Sequence, residues 1–245
     1  MERISDDSAA LRTSLYERMA PISAARERTL PVPAGLTGLF PEGALVRGRS
    51  LSIRGRSASS VALSLAAPSI AAGSWLVTID VPQLGLDAAA ESGVPLDRVV
   101  RVDTTGQTAA SSSWAECVAA ACDGFDVVLT TLSSTARRMP PATARKVLTR
   151  VRQRGAVLLV LGEPGPLECD GVVESCGERW SGLGIGHGHL RRRHLEVTAS
   201  GRRIPGVRRC AVELPDTDTD TDTVLPVVGP AVSDDDREHG ALLAG

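Results

Sequence analysis

The chain has 245 residues, 42% hydrophobic and only 2% aromatic, with a formal net charge of −2. That length fits one domain of about 200 residues with tails, and the core must be filled by Val, Leu, Ile and Ala rather than by rings. No apolar run reaches the ~18 residues that a membrane span needs and no signal peptide is expected at the N-terminus, so the sequence predicts a cytoplasmic protein with no membrane partner.

The charge is unevenly spread. Residues 216–245 hold eight of the 29 acids and one of the 27 bases. The 26 bases and 21 acids that remain give a body of about +5. A basic body with an acidic tail suits nucleic acid or an acidic protein, and it also suits plain solubility. Cys117, Cys122, Cys169, Cys176 and Cys210 form no CxxC pair and read as reduced, mostly buried thiols. His187 and His189 stand in "GLGIGHGHL", read as a Gly-rich loop with no third ligand, so no metal is expected.

In chain order, residues 4–22 place Ile4, Leu11, Leu15, Met19 and Ile22 on one helical face. Leu11, Leu15, Met19 and Ile22 are candidate contacts to a partner or a second copy; packing back on the chain's own domain is the alternative. Residues 1–30 are assigned to this helix and arm, 31–215 to the core and 216–245 to the tail. The Pro- and Gly-rich "PVPAGLTGLFPEGALVRG" over 31–48 reads as a linker or extended arm. Five β signals follow, at 50–54, 75–80, 98–102, 125–130 and 156–161, with helical patterns at 59–72, 86–92, 111–122 and 140–154. The last two strands are continuous apolar runs, as burial on both faces requires. Pro140 and Pro141 start the final helix and Gly155 stops it. This alternation predicts an α/β, doubly wound, mostly parallel sheet with helices on both faces. Residues 192–215 read as an antiparallel hairpin turning near Gly201. "DTDTDTDT" and its acidic surroundings predict a disordered tail. That tail is expected to fold back on the basic clusters. The apolar island 224–232 within it reads either as a docking peptide or as inert.

The stretch Leu51–Asp80 is laid out as strand, tight turn, helix and second strand, the plan of a phosphate loop. Such a loop needs G-x-x-x-x-G-K-[ST], with Lys for the β/γ charge and a hydroxyl for Mg²⁺. Here Gly55 survives, but Ser60, Val61 and Ala62 stand where Gly, Lys and Ser/Thr should be. Thr131 occupies the end of "FDVVLTT", where a metal carboxylate belongs, and Pro82 the place of the general base. Asp126 is at the wrong end of its strand. No catalytic residue and no cofactor is therefore expected. Ser57 or Ser59 should cap the helix, with Val61, Leu63 and Leu65 buried.

The order "GALVRGRSLSIRGRS", "WLVTID", "FDVVLTT", "AVLLVL" and a closing hairpin resembles the RecA core. More closely it resembles the RecA-like ImuA group and its shortened actinobacterial form, ImuA-prime, over roughly residues 30–215. The resemblance implies a RecA-like fold with a degenerate phosphate loop. It also implies a damage-inducible accessory factor of translesion DNA synthesis, nucleoid-associated under DNA damage. Its expected partners are an ImuB-like inactive Y-family polymerase relative and, through it, an error-prone C-family polymerase and the sliding clamp. A SulA-like inhibitor of cell division and a residual RecA-type ATPase are the competing readings.

Seven bases and no acid lie between Arg137 and Arg154: Arg137, Arg138, Arg145, Lys146, Arg150, Arg152 and Arg154. An acid-free run repels itself unless something anionic meets it. Arg138, Arg145, Lys146 and Arg152 should project outward, and the resemblance puts Arg137 and Arg138 nearest DNA. Arg191, Arg192, Arg193, Arg202, Arg203, Arg208 and Arg209 form a second cluster. Direct DNA contact, an acidic protein surface and solvation remain the three readings of both clusters.

Overall fold

The computed structural model of the chain describes residues 28–104, 110–132, 136–183 and 188–214. The helix predicted over 4–22, with Leu11, Leu15, Met19 and Ile22, lies outside the described residues, as do His187 and the tail from 216.

The main sheet takes five strands from the predicted series: β3 (Ser50–Arg54), β4 (Leu76–Ile79), β5 (Val99–Val102), β6 (Val127–Thr131) and β7 (Val157–Leu161). Before them come the two-residue strands β1 (Thr29–Leu30) and β2 (Leu45–Val46), and after them β8 (Gly171–Leu183), β9 (Gly188–Gly201) and β10 (Ile204–Leu214). Four α-helices lie among the described residues: α1 (Ala58–Ala71), α2 (Leu86–Glu91), α3 (Ala110–Gly124) and α4 (Pro141–Arg154). The eight-stranded sheet runs β10-β9-β8-β3-β7-β6-β4-β5, parallel from β8 to β5 and antiparallel across β8, β9 and β10.

The two apolar runs are buried on both faces, as their sequences demand. In β6, Val127 and Leu129 join one core and Val128 the other; in β7, Val157, Leu159 and Leu161 are divided from Leu158 and Val160 in the same way. One face carries α1 and the other carries α3 and α4. Helix α1 is apolar nearly all round, so it is buried on most sides; Val61, Leu63 and Leu65 are enclosed, as expected. Helix α4 buries Ala144, Val147, Leu148 and Val151 and ends at Gly155, whose φ of 72° is the left-handed geometry that favours glycine at a helix C-terminus.

Three expectations are corrected. Residues 31–48 are not an extended arm. A 3-10 turn over Ala34–Leu39 places Leu36 and Leu39 on one face, because that helix repeats every three residues. Both are buried with Phe40 and Leu45 in the same core as α1. Second, the hairpin turning near Gly201 is present as β9 and β10, but a strand that the sequence did not signal, β8, precedes it and makes a three-stranded meander. Strand β8 was unread because Gly177, at φ 63°, sits where its register with β9 shifts between Cys176 and Arg179, and a bulge breaks the alternation. The end of "GLGIGHGHL" is the start of β9 rather than loop. Third, Ser57 occupies the N-cap position of α1 without a capping side-chain bond. Its φ of −99° and ψ of 20° are not the extended geometry that aims a cap hydroxyl at the first turn.

Candidate functional site

Strand β3 leads into Gly55 at the sheet's C-terminal edge, and the meander closes over the turn that follows. Gly55 has a φ of 95°. A Cβ there would stand 2.2 Å from the Ser175 carbonyl oxygen and 2.4 Å from its Oγ, so only glycine fits against β8. Ser175 also engages the turn's polar groups. The Ser57 amide donates to Ser175 Oγ at 3.2 Å, and that hydroxyl donates to the Arg54 carbonyl at 3.2 Å. In the first turn of α1 that follows, Ser60 Oγ accepts a bond from Arg193 of β9. Arg193 also lies over the Trp180 ring at 5.0 Å and faces Glu178 at 3.6 Å.

Val61 and Ala62, the positions at which a phosphate loop would carry its cation and its metal hydroxyl, are 0% exposed. Their side chains are packed in the α1 core and have no polar atom to offer. Arg54 is drawn off to Glu163 at 3.1 Å and to Ser52 Oγ at 3.1 Å. The Ser57 hydroxyl is buried with no hydrogen-bond partner among the described residues.

Asp80 and the positions compared with a phosphate site at Thr131 and Pro82 have local structural roles. Asp80, buried just past β4, adopts a φ of 54°, which is uncommon for a residue with a side chain. Its carboxylate accepts from the Thr104 amide at 2.7 Å and the Thr104 hydroxyl at 2.6 Å, and its carbonyl accepts from Thr131 Oγ1. Thr131 thus anchors a neighbouring strand end. Pro82 is exposed and offers only its carbonyl, to Arg101 at 2.7 Å. Asp126 accepts from the Trp75 amide at 3.0 Å and pairs with Arg47 at 2.8 Å, at the N-terminal edge of the sheet. Among the described residues no group of three His, Cys, Asp or Glu side chains is gathered as a metal site would require.

The basic candidates separate into held and free. Arg150 and Arg154 of α4 both pair with Asp123 of α3, so the run is not unopposed in space. The Arg150 guanidinium holds the Asp123 carboxyl below its ordinary range. Arg137 donates to the Leu132 carbonyl at 3.1 Å. Arg138, Arg145, Lys146 and Arg152 are exposed as expected and make no ion pair among the described residues. Between α3 and α4 runs a groove of about 590 Å³, lined by Ala115, Ala119, Pro140, Thr143 and Val147, with Glu116 on one wall and Lys146 and Arg150 on the other.

The second cluster is dispersed along the meander. Arg202 pairs with Glu168 at 3.5 Å, Arg208 donates to the Gly38 carbonyl at 3.3 Å, and Arg209 faces Glu196 at 3.7 Å. Arg203 is exposed. Arg191 and Arg192 fall on β9, their side chains outside the described residues. Among the described residues, Arg202, Arg208 and Arg209 are each engaged with different partners rather than joined in one patch. The Ser175 and Arg193 contacts on the turn join positions more than 100 apart, and no local sequence signal points to them.

Comparison with known proteins gives a relative in Mycobacterium tuberculosis (strain ATCC 25618 / H37Rv), named Uncharacterized protein Rv3395c. It is 36% identical over 131 residues, 53% of this chain and 56% of the relative. The chain thus spans little more than half of that relative's length. No helix among the described residues is long and apolar enough to cross a membrane. A family described as the MT3502 N-terminal domain matches residues 38–166, which run from the buried turn before β2 to just past β7. With that match covering more than half of its length, the chain belongs to the MT3502 N-terminal domain family.

Proposed function

We propose that this chain is a non-catalytic, RecA-like adaptor of an error-prone translesion DNA synthesis assembly, of the ImuA-prime kind. The observation that carries the non-catalytic part is the state of the turn after β3. Val61 and Ala62 are sealed in the core, and the Ser57 amide is spent on Ser175. A phosphate loop works by aiming free amides, a cation and a metal ligand at one anion; here the positions of the cation and of the metal ligand carry buried apolar side chains, and one amide of the turn is already bonded. The RecA-like part is supported by the central place of β3 in a mostly parallel sheet, its crossover through α1, and the antiparallel extension at one edge. The likeness to a mycobacterial protein fits an actinobacterial lineage.

On this reading the fold serves as a scaffold, and its exposed basic face on α4 meets an anionic surface, DNA or an acidic partner. The partners are an ImuB-like inactive Y-family polymerase relative and, through it, the error-prone C-family polymerase and sliding clamp. The test is affinity purification of the tagged full-length chain after DNA damage. Recovery of the polymerase relative is expected. Recovery of a cytoskeletal GTPase of division in its place would overturn the adaptor reading in favour of the SulA-like one.

A further inference from the structure

The groove between α3 and α4 is apolar on its floor and basic on one side. We propose that it is the docking site of residues 224–232, the apolar island of this chain's own acidic tail. The reasoning is independent of whether the protein serves translesion synthesis.

The first ground is complementarity. The groove floor is Ala115, Ala119 and Val147, where small α3 side chains let an extended segment approach the backbone. The island, "VLPVVGPAV", is apolar throughout and lies between "DTDTDTDT" and "SDDD". Pro226 and Pro230 lack backbone N–H groups, so this segment has fewer donors to leave unsatisfied on an apolar floor. Its proline content favours the extended backbone that peptide grooves accept. The flanking acids meet Arg138, Arg145, Lys146 and Arg152, which are exposed and have no ion pair among the described residues. Glu116 and Asp123 oppose them from α3, and Asp123 is already neutralised by Arg150 and Arg154. The acidic flanks are therefore directed to the α4 side.

The second ground is reach and direction. Strand β10 ends at Leu214, paired with Arg193, on the part of the meander that overhangs the C-terminal edge of β3. The groove is lined by the first half of α4, which starts from that same edge. From β10 to β6 is five strand spacings, about 24 Å, with a helix layer ~10 Å above the sheet. The nine residues 215–223 span up to about 30 Å when extended. The tether is thus just long enough. Helix α4 follows β6 and leads to β7, so a chain arriving from the β10 side meets its bases before it meets Glu116. Tethering supplies an effective concentration in the millimolar range, so a weak contact suffices.

The experiment places a benzophenone amino acid at Val227 in the full chain and maps the cross-links by mass spectrometry in a mixture of light and heavy copies. The expected product joins the tail to peptides containing Ala115–Ala119 or Thr143–Arg150 of the same copy. Its yield should fall by about threefold in the Arg145→Glu, Lys146→Glu double variant, the size expected of two exposed ion pairs, and fall again with added salt. Leu225→Asp should lower it as well. Cross-links to any other surface, cross-links between light and heavy copies, or a yield indifferent to the charge reversal would each overturn the proposal.

Discussion

Replacing Val61 with lysine sets an ammonium inside the packed core, out of reach of bulk solvent. Val61 is 0% exposed and packs in the core shared by α1 and the 3-10 turn of 34–39. The new side chain can keep its charge without solvent or give up its proton. Giving it up at pH 7, about 3.4 units below the ordinary ~10.4 of lysine, costs roughly 4.6 kcal/mol. The added length overfills the site by a further ~1–3 kcal/mol. Together these remove roughly 6–8 kcal/mol from a domain that holds about 5–15. Val61→Met is the control, since it carries comparable bulk without charge and should cost only the packing part. Urea unfolding of both variants isolates the charge. The sign in pH also follows. The unfolded lysine binds a proton that the folded one has lost, so stability rises with pH, and the gap between the two variants should close between pH 7 and about 10. A Val61→Lys protein as stable as Val61→Met at pH 7, with no pH dependence in the difference, would mean that position 61 is open to solvent after all. If it also bound ATP, the turn would be a working phosphate site.

Other perturbations test neighbouring features. Gly55→Ala forces a Cβ to 2.2 Å from the Ser175 carbonyl at a φ of 95°, so it should lower the melting temperature markedly, while Gly73→Ala, which meets no neighbouring atom, costs only backbone strain of about 1 kcal/mol. The purified chain should show no ATP turnover above a mock preparation; turnover that Gly55→Ala abolishes would contradict this. Burial, with Asp123 adjoining, raises Cys122 from 9.0 to about 11, and burial does the same to Cys169. Their folded forms stay protonated while the unfolded thiols ionise, so stability should be full below pH 9 and fall as pH rises toward 11. Cys122→Ala should flatten that decline, as read by thermal melts across the window.

The parts of this protein that were legible in its sequence are those whose neighbours are set by local pattern. "FDVVLT" and "AVLLVL" are unbroken apolar runs, and only a strand covered on both faces hides them. Pro140, Pro141 and Gly155 bracket α4 by backbone chemistry alone. What was not legible depends on distant contacts. The prolines and glycines of 31–48 serve a linker and a packed 3-10 turn equally well, and the choice is made by β10, which touches Gly35 and Gly38 through Val212 and Cys210. Strand β8 is half polar and bulged at Gly177, so its pairing with β3 rather than its composition makes it a strand. Val61 and Ala62, at the positions compared with a phosphate loop, were visible as letters. Their burial was expected from the apolar face of α1, but the part of Ser175 and Arg193 in closing the turn was not.

The central place of β3 has a consequence for how the chain is made. Both of its neighbours are encoded far downstream: Ile53 pairs with Leu161 and with Val173. At synthesis rates of about 5–20 residues per second, on the order of 5–20 s pass between the emergence of β3 and that of its first partner. Throughout that interval α1, apolar on nearly every side, has been made without the sheet that covers it. For that interval the nascent chain carries an apolar helix whose covering strands are not yet made, which is the condition under which aggregation competes with folding.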